Sequence, residues 1–227
     1  VDHRPMSISR AAAAAMPLTS ITAWELLFDR FGIIEGGNEG DTLLVVGAAG
    51  DVGSMLKQLA RQLTKMTVIG TASRPESQEW VRKAGAHEVI DHRKPLDEEL
   101  ARIGISEVTH VASLTNTDEH YSEYIKIIAP QGKLGIVDDP ECINAVPLKG
   151  KCISLHWEAM FARSMFETKD MINQHLLLKR VSELVDSGII QTTQGDHYGN
   201  ITADNLRKAH RKIETGRMIG KIVLEGF

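Results

Sequence analysis

Apolar residues recur along the chain at two alternating spacings, which predict strands and helices in turn. Thr42 to Gly47 (TLLVVG) and Met66 to Ala72 are continuous apolar runs, typical of strands that are covered on both faces. The intervening segment SMLKQLARQL places its apolar residues at helical spacing. This pattern predicts a β-α-β unit with a right-handed crossover in a parallel sheet.

The same alternation continues through the middle of the chain. We predict further strands at 87–91, 107–114 and 132–137, and further helices at 75–84, 96–103 and 119–129. Repeated β-α units of this length indicate an α/β class, a doubly wound parallel sheet (Rossmann fold) in three α-β-α layers. Ligands of such sheets bind in the crevice outside the carboxyl ends of the strands.

The two ends of the chain have a different character. An Ala-rich helix is predicted from Ser9 to Met16, ended by Pro17, and an amphipathic helix from Thr19 to Phe31. At the other end we predict a strand at 148–157, helices at 171–187 and 202–215, and a final strand at 220–227. We therefore divide the chain into an N-terminal helical segment, 1–32, and a Rossmann domain, 33–227.

Composition narrows the class of protein. The chain has 227 residues, of which 42% are hydrophobic and 25% charged, the balance of a globular protein. Its net charge of −4 gives no overall attraction to nucleic acid or to an anionic membrane. We see no apolar run that approaches a membrane span and no signal peptide. We expect a cytoplasmic protein with a small-molecule substrate and with neither a nucleic acid nor a membrane as partner.

Metal chemistry is not indicated by the cysteines. Cys142 and Cys152 are the two cysteines, and they have neither CxxC spacing nor a histidine cluster beside them. We expect two reduced thiols and no zinc site in this chain.

The turn after the first predicted strand carries the strongest chemical signal. Gly47, Gly50 and Gly53 have the spacing GxxGxxG between a strand and a helix. Small residues there permit a tight turn, close approach of backbone N–H groups to a pyrophosphate, and close packing of helix on sheet. A glycine triplet can also mark a bare turn, but the β-α-β context favours dinucleotide binding.

The end of the second predicted strand indicates which dinucleotide. Enzymes that use NAD place an acidic residue there to hold the ribose 2′-hydroxyl. This chain has TASRPES instead, with Ser73 and Arg74 and no carboxylate before them. A guanidinium and a hydroxyl suit a 2′-phosphate, although a solvated surface arginine is the alternative. We expect NADP(H).

At this point the chain resembles a known family, the medium-chain dehydrogenase/reductase superfamily. More narrowly, it is similar to the zinc-independent quinone oxidoreductases and the zinc-type alcohol dehydrogenase-like proteins. The resemblance rests on AAAAAMPLTSITAWELLFDRFGI, LLVVGAAGDVGSMLKQLAR, TASRPESQEWVRKAGAHEVIDHRKPL, ASLTNTDEHYSEYIKIIAPQGKLGIVDDP, LHWEAMFARSMFETKDMINQH and IGKIVLEGF, which together span nearly the whole chain.

The resemblance implies a set of cofactor contacts. Those at the pyrophosphate, beside the glycines, are Asp51, Val52 and Gly53. Ser73, Arg74 and His92 are implied at the adenosine end. Thr22, Ser113, Leu114, Val137, His156 and its neighbour Trp157 are implied near the nicotinamide and its cleft. His92, His156 and Trp157 could equally be ordinary surface or packing residues.

Two departures from the family qualify this expectation. Members carry an N-terminal GroES-like catalytic domain, which is absent here, so the chain looks like an excised cofactor-binding domain. The family turn usually has the letters GGVG, whereas this one has GDVG. The carboxylate of Asp51 would weaken pyrophosphate binding by about 1 kcal/mol or more if it pointed inward. It could instead cap the helix N-terminus.

Three functions stay open on the sequence. The longer protein would transfer hydride from NADPH to a quinone or an α,β-unsaturated carbonyl, or be a zinc-dependent alcohol dehydrogenase, or bind NADPH without catalysis. No grouping in the chain is arranged for acid–base chemistry, so no catalytic residue is named and the chain alone is expected to be inactive. The family also implies a homodimer through the strand Leu148 to Trp157.

Overall fold

The computed structural model describes residues 4–226. Six strands form one wholly parallel sheet in the order β3-β2-β1-β4-β5-β6. Their bounds are β1 Thr42–Val46, β2 Thr67–Thr71, β3 Glu88–Ile90, β4 Val108–Ser113, β5 Ile128–Ile136 and β6 Ser154–Trp157. This strand order, with helices on both faces, confirms the doubly wound α/β fold.

Nine α-helices lie within the described residues. They are α1 Arg10–Ala14, α2 Pro17–Trp24, α3 Asp51–Leu63, α4 Pro75–Lys83, α5 Leu96–Arg102, α6 Thr117–Ile127, α7 Ala162–Met165, α8 Ile172–Asp186 and α9 Ala203–Glu214. The central helices lie where the apolar spacing predicts them, with ends shifted by a few residues. The short helix α7 was not predicted.

The carboxyl ends of the strands are level with one another. Val46 of β1 pairs with Ser113 of β4, which is followed across the sheet by Ile136 of β5 and Trp157 of β6. The loops that leave these strands therefore begin along one edge, where the crevice was expected.

The predicted strand 148–157 is wrong in its first half. Val146–Lys151 form a turn of 3₁₀-helix instead. Pro147 lacks the N–H that a strand ladder needs, and the backbone of Cys152 turns left-handed with φ 51°. The N–H of Cys152 bonds to the carbonyl of Lys149 at 3.1 Å, which closes the turn before β6 begins.

The final strand does not join the large sheet. β8 Lys221–Val223 pairs in parallel with β7 Gln194–His197, a strand that the sequence did not predict. A single parallel bridge between Gly50 and Gly220 connects this two-stranded sheet to the start of α3.

The N-terminal helices continue into a π-helical turn, Glu25–Arg30. By length and composition alone, the helical stretch Arg10–Arg30 could span a membrane: it has 21 residues and a mean hydropathy of 1.3. The sequence pattern predicted no run of this length. However, 72% of its apolar window is buried inside the protein, as in the core helix of a soluble protein.

Phe31, at the end of this helical stretch, anchors it to the sheet. Its ring is fully buried and meets the ring of His110 edge-on at 5.2 Å and that of His156 at 6.0 Å. Gly135 makes room for it, because a Cβ there would lie 2.7 Å from the Phe31 ring and 2.5 Å from Leu26 Cδ1. The N-terminal segment thus contributes to the main core.

A buried pair of carboxyl groups connects the N-terminal segment to the loop after β6. Glu25 and Glu158 are 0% and 4% exposed. Arg30 Nε lies 2.9 Å from Glu158 Oε2. Burial raises the pKa of Glu158 to about 8, and the neighbouring Glu25 adds to the rise while Arg30 opposes it. Glu158 therefore carries a proton at neutral pH.

Arg163 of α7 supplies the balancing charge. Its Nη1 lies 2.9 Å from Glu25 Oε1 and 2.8 Å from Asp29 Oδ2, while Nη2 lies 2.8 Å from Asp170 Oδ2. Gln174 Nε2 donates to Glu25 Oε1 at 2.9 Å. One guanidinium thus ties α7 to the π-helical turn and to the loop before α8, and its removal would take from the buried Glu25 its closer arginine, since Arg30 Nη2 lies 3.5 Å from Oε2.

Glu158→Gln tests the protonation of Glu158 in the folded state. The folded state keeps the Glu158 proton up to about pH 8, whereas the unfolded chain releases it near the ordinary value. The free energy of unfolding should therefore fall as pH rises from about 4.5 to about 8. Glutamine removes this fall, so the variant should be the more stable by on the order of 3 kcal/mol near pH 8. Urea unfolding at several pH values measures both.

The exposed Glu183→Gln on α8 is the matched control, and it should follow the unsubstituted chain at every pH. Parallel stability profiles for Glu158→Gln and the unsubstituted chain would show that Glu158 is ionised in the fold.

Candidate functional site

The glycine turn between β1 and α3 is shaped by two close approaches. Gly47 has φ +81°, and a Cβ on it would lie 2.9 Å from Thr115 Cγ2. A Cβ on Gly53 would lie 2.6 Å from the Gly47 carbonyl oxygen and 2.8 Å from Ala48 Cα. No side chain fits at either position, so the turn depends on these two glycines.

Gly50 has a different role, because its extended backbone (φ −69°, ψ −178°) is open to any residue. It forms the N-cap of α3, and its N–H bonds to the Gly47 carbonyl at 3.1 Å. The absence of a side chain leaves the first turn of α3 accessible from the crevice. The N–H groups of that turn have no backbone acceptor within the helix, as a pyrophosphate site requires. That of Val52 is bonded to the side chain of Asp51.

The carboxylate of Asp51, in that first turn, is already engaged. Oδ1 accepts the N–H of Val52 at 2.8 Å, and Oδ2 lies 2.7 Å from the ammonium of Lys221 in β8. The Gly220 N–H also bonds to the Ala49 carbonyl at 2.9 Å. The final strand is thus fastened to the glycine turn, and Lys221 offsets the negative charge that the sequence places there.

A second lysine lies behind the turn. Lys57 of α3 is fully buried, and its ammonium donates to the carbonyl of Ala48 and, at 2.9 Å, to that of Gly53. Burial lowers the pKa of Lys57 to about 7. The helix pattern had suggested nothing special about this residue.

The corner after β2 gathers arginines. Arg74 is the N-cap residue of α4; its Nη2 donates to the Arg217 carbonyl at 3.0 Å and its Nη1 lies 3.0 Å from Glu76 Oε1. Arg93 donates to the Ser73 carbonyl at 2.9 Å. Arg93 also pairs with Asp91, which holds the pKa of that carboxyl below its usual range.

His92 lies at the same edge, just after β3. Burial lowers its pKa, and its ring centroid is 6.4 Å from that of His120. The structure thus brings Ser73, Arg74 and His92 to the ends of β2 and β3, the neighbouring strands on one side of the glycine turn.

Backbone hydrogen bonds extend the edge on the other side of the turn. The Leu114 N–H bonds to the Val46 carbonyl at 3.2 Å, and the Val137 N–H bonds to the Ser113 carbonyl at 3.0 Å. Leu114 and Val137 are partly buried and pack on the main core. Both lie where the resemblance places the cleft.

Three further expected residues have their side chains occupied inside the protein. The Thr22 hydroxyl donates to the carbonyl of Leu18 at 3.2 Å in its own helix. His156 faces Phe31, one residue short of the strand end, whereas its neighbour Trp157 is 52% exposed.

Ser113 is the third of these residues. Its buried hydroxyl lies 2.7 Å from Thr117 Oγ1 and 2.9 Å from the Tyr124 hydroxyl, and Thr117 continues the chain to Asp138. Burial raises the pKa of Tyr124, so its hydroxyl keeps its proton in this network. It braces the ends of β4 and β5 against α6.

Metal ligation is not supported by the residues present. Within residues 4–226, no three His, Cys, Asp or Glu side chains are grouped to hold a metal ion.

Two contributions to the crevice come from a distant segment that no local pattern indicates. Lys221 and the carbonyl of Arg217 reach the crevice from the end of the chain, 170 and 143 residues from their partners. The GRMIGK segment carries the charges, but no local pattern indicates where it folds. The burial of Lys57 was not predicted, because the segment around it, SMLKQLARQL, indicates only an amphipathic helix.

Comparison with known proteins identifies the family. The profile of the family described as zinc-binding dehydrogenase matches residues 84–224. A zinc-type alcohol dehydrogenase-like protein of Staphylococcus aureus is 37% identical over 99% of this chain and 68% of its own length.

Solved structures agree. A candidate zinc-dependent alcohol dehydrogenase from Rhizobium etli superposes with a TM-score of 0.94 at 48% identity, over 99% of this chain and 66% of that one. Escherichia coli quinone oxidoreductase in complex with NADPH gives 0.80 at 24% identity, over 98% of this chain and 67% of its own, a likeness of fold. The chain thus spans about two thirds of the length of its relatives.

The family profile, these relatives and the six-stranded sheet with its glycine turn agree. The chain belongs to the zinc-binding dehydrogenase family of the medium-chain dehydrogenase/reductase superfamily, and it is the cofactor-binding domain of such an oxidoreductase.

Proposed function

We propose that this chain binds NADPH and, within a longer protein, positions it for hydride transfer to a quinone or an α,β-unsaturated carbonyl. The observation that carries the cofactor assignment is the corner after β2. There Ser73 and Arg74 stand where enzymes that use NAD have a carboxylate.

The guanidinium of Arg74 is held in place at this corner, but it still has N–H donors available to a ligand. It is partly exposed, and its ion pair with the exposed Glu76 is of the kind that contributes little free energy. A 2′-phosphate carries nearly two negative charges and accepts paired hydrogen bonds from a guanidinium. It would therefore displace Glu76, while the bond to the Arg217 carbonyl keeps the arginine in place.

At the glycine turn, Lys221 neutralises the unfavourable effect of Asp51 on the binding of a pyrophosphate. Its ammonium, 2.7 Å from the carboxylate, offsets the charge that would repel a pyrophosphate. The departure GDVG is thus compatible with a dinucleotide site.

Titration with NADPH and NADH tests the proposal. Arg74→Ala should raise the Kd for NADPH by ~10- to 100-fold, because it removes a charge-assisted contact to the phosphate. The Kd for NADH should change little. Calorimetry on the chain measures both constants, and Arg82→Ala, at the exposed far end of α4, is the matched control. Equal affinity of the unsubstituted chain for the two cofactors would refute the role of Arg74.

The hydride acceptor is proposed from the family resemblance. The cofactor supplies the hydride chemistry, and this domain orients it. The relatives named for zinc support a second candidate, the same domain in a zinc-dependent alcohol dehydrogenase. We place the protein in the cytoplasm and expect this domain alone to be inactive.

A longer form of the protein, carrying the region present in its relatives, separates these candidates. We expect it to oxidise NADPH with a quinone or an enone and to contain no stoichiometric zinc, whereas residues 1–227 alone should not turn over. Absorbance at the reduced nicotinamide band and elemental analysis are the measurements. Stoichiometric zinc with alcohol oxidation would favour the second candidate, and binding without turnover of any acceptor would favour a non-catalytic module.

We also propose a homodimer through β6. This strand is the outer member of the sheet, and within the described residues it pairs on one side, with β5. Its free edge presents unpaired backbone groups, which a second copy related by a two-fold axis would satisfy. Ser154 and Trp157 have exposed side chains at its two ends.

Light scattering should give a mass twice the 25.0 kDa of the chain. Changing both Ser154 and Trp157 to lysine should yield monomers, because like charges would then face each other across the edge. Val146→Lys, exposed but outside the strand, should stay dimeric. A monomeric unsubstituted chain would overturn this proposal.

A further inference from the structure

Lys57 is the one lysine among the fully buried residues of the described chain, and the proposed chemistry does not use it. Its ammonium lies behind the glycine turn, on the carbonyls of Ala48 and Gly53. Burying an ammonium is costly unless it is paired or hydrogen-bonded, yet no carboxylate contacts it. A methionine or leucine would fill the same space without this cost, so the presence of a lysine at this position requires an explanation.

We propose that Lys57 is a positioning residue for the cofactor pyrophosphate, holding the turn from behind and adding positive charge that the bound diphosphate stabilises. This inference rests on the proposed function. It concerns how the site gains affinity, and it assigns Lys57 no contact with the cofactor.

The geometry explains the positioning. The carbonyl of Ala48 points to Nζ, and in a planar trans peptide the following N–H, that of Ala49, points the opposite way. The second bond, to Gly53, lies in the first turn of α3. Both halves of the turn are thus fixed by one ammonium, and the charge adds to the positive end of the helix dipole.

The groups around Lys57 leave its charge unbalanced. Its Cδ lies 3.3 Å from where a Cβ on Gly70 of β2 would stand, and Val81 of α4 packs against the same glycine. On α3 itself the charged residues are Asp51, which pairs with Lys221 of β8, and the exposed Arg61. Asp51 therefore has its own cation, and the pyrophosphate would be the first anion available to Lys57.

A proton balance follows. Because burial lowers the pKa of Lys57 to about 7, its amine is largely uncharged above that pH in the protein without cofactor. A bound diphosphate favours the ammonium and raises its pKa, so binding takes up a proton. Affinity contributed by Lys57 is therefore present at low pH and is lost as pH rises through the pKa of the complex.

Calorimetric titration with NADPH in buffers of different ionisation enthalpy tests this on the whole chain. Between about pH 7.5 and about pH 9.5 the 2′-phosphate is fully ionised, since such phosphates titrate near pH ~6. The unsubstituted chain should take up a fraction of a proton per NADPH. Its Kd should rise by about threefold or more over this range if binding raises the lysine pKa by about one unit.

Lys57→Met should abolish both the proton uptake and the rise in Kd, and should weaken binding at the lower pH. Lys65→Met, which changes an exposed lysine just after α3, should behave as the unsubstituted chain. A merely structural lysine would change affinity without changing the pH profile.

The outcomes separate the two proposals. NADPH binding without proton uptake by the unsubstituted chain overturns the role of Lys57 and leaves the cofactor assignment intact, even if Lys57→Met does not fold. Uptake that persists in Lys57→Met has the same meaning. Failure of the unsubstituted chain to bind NADPH or NADH overturns both.

Discussion

The close approach of α3 to the end of β1 is the constraint on which the site depends. A helix that begins within van der Waals contact of the preceding strand leaves no room for a Cβ at Gly53, where 2.6 Å separates that position from the Gly47 oxygen. The same approach directs the first turn of the helix at the crevice, so that its N–H groups face a ligand. Beside this turn the ends of β1, β4 and β5 lie in one row, as the register of the parallel sheet sets them.

Charge around this turn is arranged in opposing pairs. Asp51 would be unfavourable for an anion if it stood alone, but Lys221 lies against it, and Lys57 supplies a second cation from behind. Far from the turn, Glu25 and Glu158 show the reverse arrangement, in which two buried carboxyl groups both lie against Arg30, Glu25 also contacts Arg163, and Glu158 carries a proton. In each case a group that local sequence would mark as costly is matched by a partner from another element.

How much of the fold and of the site could be predicted from the sequence depends on how far apart in the chain the interacting residues lie. The doubly wound parallel sheet, the glycine turn and the corner at Ser73 and Arg74 depend on local spacing and on the β-α-β rule, so the sequence indicated them, whereas the order of the six strands comes from the structure. The 3₁₀ turn before β6 was missed because the alternation of Ile153, Leu155 and Trp157, which is that of a strand, was extended back to Leu148. Pro147 and Cys152 decide the backbone there. Lys57 was missed because helical spacing alone does not show that a charged residue faces inward. The contact from Lys221 depends on the path of the whole chain.

The bridge between Gly50 and Gly220 has a consequence for synthesis. The segment around Gly220 is synthesised long after the turn around Gly50, so until then the turn is held by its own hydrogen bonds. Contacts of such long sequence separation form late, since their loop-closure entropy must be met first. The domain can therefore build its sheet as it emerges, but its phosphate-binding turn reaches its final form only once the segment around Gly220 has folded back onto it.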